Sequence, residues 1–381
     1  MIIKNAKVFL PDCRFARADI RVRDGRIAGV GEYDEDEEIL DAAGCLAVPG
    51  LIDLHFHGCM GYDFGDATQE AFREIARYEA SVGVTAIAPA TLTLPVPELD
   101  RILKSAAAYA AHPAEGGADL VGINMEGPFI SKEKKGAQDE SNLLPCSAEL
   151  AKRFVGESEG LVRIIGLAPE VNPDYEAYIR SVKDFVHVSL AHSNCDYETA
   201  MRAIAAGACH AVHLFNAMPE FLHRTPGIIG AVADSPRVYA ELITDGIHVH
   251  PSVVRAAFRL VGEGHLVLIS DSLRATGMED GDYTIGDLSF HKEGKRCTMA
   301  RDGAIAGSVT NLTDCMRTAV REMNIPLEQA VAAATVNPAR CLGIEAEYGE
   351  IRSGHRADIV LLEDTPELAL RVVIKDGRKL S

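Results

Sequence analysis

Eight short apolar runs recur along the middle of the chain, and a turn or a polar residue follows each of them. The runs are nearly all apolar and lack a two-residue alternation, which is typical of parallel strands that are covered on both faces. They therefore predict eight buried strands, at Leu51–Leu54, Val84–Ala88, Leu120–Met125, Val162–Leu167, Val186–Ala191, Ala208–Val212, Tyr239–Thr244 and His265–Ser270.

Segments with the apolar spacing of helices separate these runs. Alternation of strand and helix over roughly 220 residues indicates a closed (β/α)₈ barrel of the TIM type, in which functional groups gather at the carboxyl ends of the strands. An open doubly wound sheet is the competing architecture, but no glycine-rich phosphate loop follows an early run. The predicted helices are Gln69–Val82, Pro97–Ala110, Ala148–Glu157, Tyr175–Asp184, Tyr197–Ala206 and Pro251–Gly262.

Both ends of the chain predict β structure outside the barrel. Asp24-Gly25 and Asp376-Gly377 are hairpin signals between apolar segments. We expect residues 1–49 and 345–381 to form one small β-sandwich domain, packed on a barrel domain of residues 50–344. Residues 282–304 form a further β-rich segment that either extends the sandwich or covers the barrel mouth. The acidic stretch from Glu32 to Glu38 is predicted to be a solvated loop.

Composition narrows the possible partners. The 381 residues are 47% hydrophobic and 25% charged, as expected for a globular protein with a sizeable core. The net charge of -18 argues against nucleic acid or an anionic membrane as a partner, since either requires a basic face. Without an apolar leader or a run of membrane-spanning length, the expected location is the cytoplasm. The nine cysteines lack paired spacing and are predicted to be free thiols.

Side chains that bind metals or transfer protons stand at the ends of several runs. A buried carboxylate at such a position is costly unless a cation or hydrogen bonds compensate it. Nitrogen and oxygen ligands from several strands suit Zn²⁺ or Fe²⁺, and a carboxylate nearby can serve as the general base. The candidates are His55, His57, Glu126, His192, His213 and Asp271. Gly127-Pro128 is expected to end abruptly the strand that precedes Glu126.

Structural alternatives to these roles stay open at this point. Strand-end histidines are often ordinary core residues. Glu126 could pair with Lys134 or Lys135, and Asp271 could cap the segment that follows it.

The order of several short motifs resembles the N-acetylglucosamine-6-phosphate deacetylases, a branch of the amidohydrolase superfamily. The motifs are MEGPF, AHS, VHLFNAM, DGIHV, SDS and IAGS, and the likeness covers essentially the whole chain. The resemblance implies a barrel with a small β-sandwich, a divalent metal ion, and hydrolysis of N-acetylglucosamine 6-phosphate to glucosamine 6-phosphate and acetate. It also implies a homodimer or a higher homo-oligomer.

The resemblance assigns roles to the strand-end residues. Glu126, His192 and His213 would hold the principal metal ion, and Asp271 would be the catalytic acid and base. Some family members have lost the ligands of the first strand, but this chain keeps His55 and His57, which allows a second ion with Glu126 as the bridge.

Substrate contacts are implied by position. Asn216 and Ala217 would lie against the sugar phosphate, His248 would contact the substrate, and Arg224 would reach the phosphate from a neighbouring subunit. One position departs from the family pattern. Where several relatives have a histidine that polarises the acetyl carbonyl, this chain has Gln138, which can donate a hydrogen bond but cannot carry a positive charge. We hypothesise that a second metal ion compensates for this loss.

Two other functions are consistent with these residues. One is an amidohydrolase that acts on a different N-acyl amino sugar or on an N-acyl-D-amino acid. The other is a metal-binding sugar-phosphate sensor without catalysis, although mere binding does not require a base at Asp271.

Overall fold

The computed structural model describes residues 1–33 and 38–380, so most of the acidic stretch lies outside the described residues. Each of the eight apolar runs contains a strand, as predicted. In chain order the barrel strands are Leu51–Asp53, Val84–Ile87, Ile123–Phe129, Val162–Leu167, His187–Leu190, His210–Ala211, Tyr239–Ile243 and Leu266–Ile269.

Parallel pairing joins the strands in sequence order. The second strand is interrupted at Pro89 and reaches the third through a short continuation, Ala90–Thr91. The eighth and first strands meet through backbone hydrogen bonds, from Asp271 N to His55 O at 2.9 Å and from His57 N to Ser272 O at 2.7 Å. The (β/α)₈ barrel is therefore closed at the end that carries the candidate residues.

Ten α-helices are described, and all six predicted ones are present within a few residues of their expected limits. The other four were not predicted: Gly227–Ala233, Leu312–Arg321, Leu327–Ala334 and Val336–Leu342. In Gly227–Ala233, two glycines lower the helical propensity. The helices are Gln69–Ser81, Val96–Ala111, Ala148–Glu157, Tyr175–Val182, Tyr197–Ala206, Gly227–Ala233, Pro251–Val261, Leu312–Arg321, Leu327–Ala334 and Val336–Leu342, with 3₁₀ turns at Phe64–Asp66, Glu140–Asn142 and Pro169–Val171.

Both chain termini contribute to one eight-stranded sheet, as the hairpin signals indicated. Asp24 and Gly25 have φ values of 49° and 73°, and Asp376 and Gly377 have 50° and 75°, which matches the turn that favours Asp-Gly. The division into domains at residues 49 and 345 stays a prediction. The strands are Ile2–Phe9, Phe15–Arg23, Arg26–Gly31, Ile39–Asp41, Cys45–Pro49, Ile359–Glu363, Leu370–Lys375 and Arg378–Lys379.

The segment after Asp271 covers the barrel mouth. Its strands Gly281–Ile285, Leu288–Glu293 and Arg296–Met299 form an antiparallel sheet of their own. Their buried side chains pack with Leu92 and Leu273, which follow the second and eighth barrel strands. This packing decides between the two placements that the sequence left open.

One expectation about the third strand was wrong. Gly127-Pro128 was expected to end the strand abruptly after Glu126, but the strand continues to Phe129. The pairing with the fourth strand shifts register between Met125 and Phe129, and this irregularity accommodates a proline that has no N–H to donate. Glu126 therefore lies within a strand, where the backbone holds it more rigidly than a loop would.

Within the described ranges, none of the helices combines the length and the apolar character needed to cross a bilayer. All nine cysteines are free thiols.

Candidate active site

Glu126, His192 and His213, from the third, fifth and sixth strands, converge on one point at the barrel mouth. Glu126 Oε1 lies 2.8 Å from His192 Nε2 and 2.9 Å from His213 Nε2, and the two Nε2 atoms are 3.2 Å apart. All three side chains are buried. The alternative of a pairing between Glu126 and Lys134 or Lys135 is not observed among the described contacts of Glu126.

The hydrogen bonds that the two imidazoles make through Nδ1 determine whether Nε2, which faces Glu126, carries a hydrogen or a lone pair. Nδ1 of His192 donates to the carbonyl oxygen of Lys134 (2.7 Å), and Nδ1 of His213 donates to that of Asn216 (3.1 Å). A carbonyl can only accept, so each neutral ring presents a lone pair at Nε2. Two lone pairs and a carboxylate oxygen then face each other at separations of 2.8 to 3.2 Å, close enough to bind one ion together. This donor set fits a divalent metal.

A second group lies beside the first. His55 and His57 approach Asp271, with Nε2 to Oδ1 distances of 3.9 Å and 3.4 Å, and they approach the two oxygens of Glu126 at 3.5 Å and 3.6 Å. His55 Nε2 is buried and has no hydrogen-bond partner among the described residues. An orphaned buried acceptor between two carboxylates also fits a cation, with Glu126 shared between the two groups.

The carboxylates of this centre are held in the ionised form. Burial alone would raise the pKa of Glu126. When the facing rings carry a proton at Nε2, however, the charge of His192 and the hydrogen bonds from His192, His213 and His55 outweigh burial and hold that pKa well below its ordinary value. Burial likewise opposes ionisation of Asp271, and the hydrogen bond with His57 outweighs it, so the pKa of Asp271 is also lowered. An ionised Asp271 is able to accept a proton.

The backbone is strained at three of these positions. His192, His213 and Asp271 have φ values of 44°, 21° and 49°, in a region that residues other than glycine seldom adopt. Such strain persists only where the surrounding structure fixes it, and it is concentrated at functional sites. Each of the three residues lies two positions beyond the last residue of its barrel strand, so the strained backbone turns the side chain toward the centre of the mouth.

Gly307 allows the chain to approach Asp271. A Cβ atom on Gly307 would lie 2.8 Å from Leu273 Cδ2 and 3.0 Å from the carbonyl oxygen of Asp271, and its φ is +43°. We expect Gly307→Ala to displace Asp271 and to lower kcat by about tenfold or more, in addition to about 1–2 kcal/mol of backbone strain.

Steady-state kinetics and thermal unfolding of Gly307→Ala test this prediction. Gly294→Ala is the matched control, because Gly294 has a φ of +58° and open space around it. The control is expected to lose stability but to keep its kcat. Equal kcat values for the two variants would contradict the steric argument.

The predicted substrate residues Gln138, Asn216, Ala217 and His248 all line one cavity of about 180 Å³ above the two groups. Gln138 is fixed at both ends of its amide. Its Nε2 donates to Glu126 Oε2, and its Oε1 accepts from Thr93 N, both at 2.6 Å. Nδ1 of His248 lies 2.7 Å from Asp245 Oδ2, which leaves Nε2 available to a ligand.

Arg224 is not brought into this cavity. It is exposed and lines a separate surface cavity of about 580 Å³, together with Asn194 and Leu222. Phe221 and Leu222, in the same loop, are about half exposed. Within one subunit, therefore, the structure leaves Arg224 apart from the other candidates.

Comparison with known proteins agrees with this geometry. Residues 46–380 match the amidohydrolase family. The chain belongs to this family. The family depends on divalent metal ions, in accord with the two groups of ligands described above.

Individual relatives carry a more specific description. The chain is 35% identical to N-acetylglucosamine-6-phosphate deacetylase of Vibrio furnissii over 88% of this chain and 84% of that protein. It is 33% identical to the deacetylase of Bacillus subtilis, over 98% and 95% of the two chains. A solved structure of the Mycobacterium smegmatis deacetylase, an aspartate-to-alanine mutant in complex with N-acetyl-D-glucosamine-6-phosphate, superposes with a TM-score of 0.92 at 30% identity, covering 100% of this chain and 98% of that one.

Three residues of this amidohydrolase site were missed in the sequence. Glu241 and Asn124 lie inside the seventh and third strands and contact His55, and Asp245 supports His248. A glutamate in the otherwise apolar run Tyr239–Thr244 was a usable signal, because glutamate is rarely buried without a partner. For Asp245, the signal was its place directly after that run.

A third cluster of carboxylates in this amidohydrolase is neutralised by basic side chains. Asp119, Asp358 and Asp376 come together beside a cavity of about 950 Å³ that also borders the terminal sheet. Lys375 Nζ lies 2.9, 3.4 and 2.7 Å from these three carboxylates, and Arg356 also pairs with them. The buried amine already supplies the positive charge, so this group is an ion-pair network rather than a second metal centre.

Proposed function

We propose that this chain hydrolyses the acetamide bond of N-acetylglucosamine 6-phosphate, giving glucosamine 6-phosphate and acetate, as a step in amino-sugar catabolism. The observation that carries the proposal is the convergence of Glu126, His192 and His213 beside Asp271, in a family whose similar members are deacetylases of this substrate. Metal ligands and a separate ionised carboxylate are the two parts that hydrolysis of an amide by water requires.

Glu126, His192 and His213 would hold the principal ion, and His55 and His57 would hold a second ion with Glu126 between them. Zn²⁺ and Fe²⁺ both suit this mixture of imidazole and carboxylate ligands. When bound, a divalent ion supplies Lewis acidity, which lowers the pKa of a water molecule and polarises a carbonyl group. Gln138 would orient Glu126, to which its amide donates, while bordering the substrate.

Asp271 is the residue that moves the proton. It accepts a proton from the attacking water, whose oxygen forms a bond to the acetyl carbon. It then donates that proton to the amide nitrogen as the carbon–nitrogen bond breaks, so that the sugar leaves as an amine and the acyl group as acetate. Asn216, Ala217 and His248 would hold the sugar phosphate during these transfers.

Acetate release from N-acetylglucosamine 6-phosphate, measured with and without a chelator, tests the proposal. We expect turnover that the chelator abolishes and that added Zn²⁺ or Fe²⁺ restores. An N-acyl-D-amino acid and unphosphorylated N-acetylglucosamine serve as competing substrates. Faster hydrolysis of either would favour another amidohydrolase activity and overturn this assignment.

A pH dependence is expected from His248. Burial lowers the pKa of His248, but the hydrogen bond that its Nδ1 donates to Asp245 outweighs burial and raises that pKa above its ordinary value. Protonated His248 attracts the phosphate, so affinity is present below this pKa and is lost as the pH rises through it. In Asp245→Asn the pKa of His248 is expected to fall. The KM of this variant should therefore begin to rise at a lower pH and should be about tenfold higher near neutrality.

Measuring KM and kcat between pH 5.5 and 9 checks this shift. Asp282→Asn is the control, because Asp282 pairs with His291 on an exposed part of the mouth-covering sheet. That variant is expected to reproduce the parent profile. A KM profile that Asp245→Asn leaves unmoved would argue against a phosphate-binding role for His248.

We also propose that the chain is a homodimer in which Arg224 reaches the phosphate of the neighbouring subunit. Its exposure and the apolar pair Phe221 and Leu222 beside it support an interface at this loop.

Arg224→Ala is expected to raise KM for the phosphorylated sugar by about tenfold or more and to leave KM for the unphosphorylated sugar unchanged. Arg237→Ala, at another exposed arginine, is the control, and sedimentation gives the oligomeric state. Equal effects on both substrates, or a monomer with full affinity, would contradict the proposal.

A further inference from the structure

Glu241 is a carboxylate enclosed in the barrel. Strand alternation turns Glu241 and Ile243 toward the interior, and Ile243 packs there with Ile52 and Val267. The side chain of Glu241 is completely buried. A charge in such a place is costly unless several donors satisfy it, so its contacts show what it stabilises.

Three hydrogen-bond donors surround Glu241, and the imidazole of His210 lies close to it. Oε2 accepts from His55 Nδ1 at 2.6 Å and from His213 N at 3.0 Å, while Oε1 accepts from Asn124 Nδ2 at 3.0 Å. His210 Nε2 lies 3.4 Å from Oε1. One oxygen thus contacts a residue from each of the two groups of candidate metal ligands.

The contact with His55 determines which nitrogen of that ring is free. A carboxylate accepts only, so Nδ1 of His55 carries the hydrogen and Nε2 carries the lone pair. That Nε2 is the buried atom without a described hydrogen-bond partner, facing Glu126 and Asp271. The contact with His213 is different, because it fixes the backbone and not the ring. The ring of His213 is held independently by Asn216.

We propose that Glu241 is a positioning residue that makes His55 a metal ligand, so that binding of the second ion depends on Glu241 while binding of the principal ion does not. The inference rests on the metal centre of the proposed function. Carboxylates that orient a ligating histidine typically change metal affinity by about 10- to 100-fold when removed. The expected change is confined to the subsite of His55 and His57.

Glu241→Gln tests the proposal with little change of shape. Metal-free protein is titrated with Co²⁺, and bound ions per chain and the cobalt absorption spectrum are recorded. The parent chain is expected to bind two ions. The variant should bind the first with unchanged affinity and the second at least about tenfold more weakly, with lower kcat and unchanged KM. Glu79→Gln is the matched control, because Glu79 is equally buried and makes no described contact with a candidate ligand.

The outcomes are distinguishable. If the parent binds no ion, the proposed function fails. If the parent binds two ions and Glu241→Gln binds both normally, or loses both equally, the role of Glu241 is refuted while the function stands. A parent that binds one ion at full activity also refutes it. Should Glu241→Gln fail to fold, Asn124→Ala removes one support of the same carboxylate, and an unchanged second affinity in that variant would overturn the inference.

Discussion

Replacing Glu126 with glutamine is expected to abolish binding of the principal metal ion and to lower kcat by about three orders of magnitude. Glu126 offers one oxygen to His192 and His213 and stands within 3.6 Å of His55 and His57. A neutral amide keeps the shape but removes the negative charge that Glu126 places beside all four imidazoles. An ion supplies several kcal/mol of transition-state stabilisation, and about 1.4 kcal/mol corresponds to a factor of ten.

Metal content after dialysis, followed by turnover at saturating metal, measures both effects. Added metal should not restore Glu126→Gln, because the missing charge belongs to the protein. Glu79→Gln is again the control, since the same change at another buried glutamate should leave metal content intact. If Glu126→Gln retained a full complement of ions and at least a tenth of the parent kcat, the metal centre would have to be placed elsewhere.

The residues that follow the apolar runs are the part of this site that could be predicted from the sequence. Each of Glu126, His192, His213 and Asp271 follows an apolar run in the chain, and a closed barrel brings the carboxyl ends of all its strands to one face. Proximity therefore follows from topology and needs no knowledge of side-chain contacts. The same reasoning placed His55 and His57 on that face.

Contacts between side chains that point into the barrel could not be predicted in the same way. Glu241 reaches His55, which follows the first strand, and His213, which follows the neighbouring sixth strand, and those partners lie 186 and 28 residues away in sequence. No local pattern specifies such a pairing, because register and strand tilt decide which interior side chains meet. The glutamate itself was a visible anomaly in an apolar run, but its partners were not.

Pairing within the sheet also outweighed the local preference of Gly-Pro to end a strand. Gly127-Pro128 has the composition of a strand terminator, yet the strand continues to Phe129 because a register shift accommodates the proline. The role of Arg224 could not be predicted for a different reason. Its proposed role depends on a second subunit, and neither the chain sequence nor the fold of one subunit contains that surface.

Replacing Asp271 with asparagine is expected to lower kcat by about 10³- to 10⁴-fold while leaving substrate affinity nearly unchanged. The carboxylate is ionised, lies 3.4 Å from His57 Nε2, and is fixed by backbone hydrogen bonds to His55 and Ser308. Asparagine preserves the shape and these backbone bonds but cannot accept and return a proton. Binding and chemistry should therefore separate in this variant.

Direct measurement of sugar-phosphate binding, together with single-turnover acetate release and metal content, tests that separation. Asp245→Asn is an informative comparison, because it removes a buried carboxylate that supports His248 and should affect KM rather than kcat. Retained binding without turnover in Asp271→Asn would identify this carboxylate as the proton carrier. Unchanged turnover would remove the base from the mechanism and return the sugar-phosphate sensor to consideration, because the remaining residues bind but do not transfer protons.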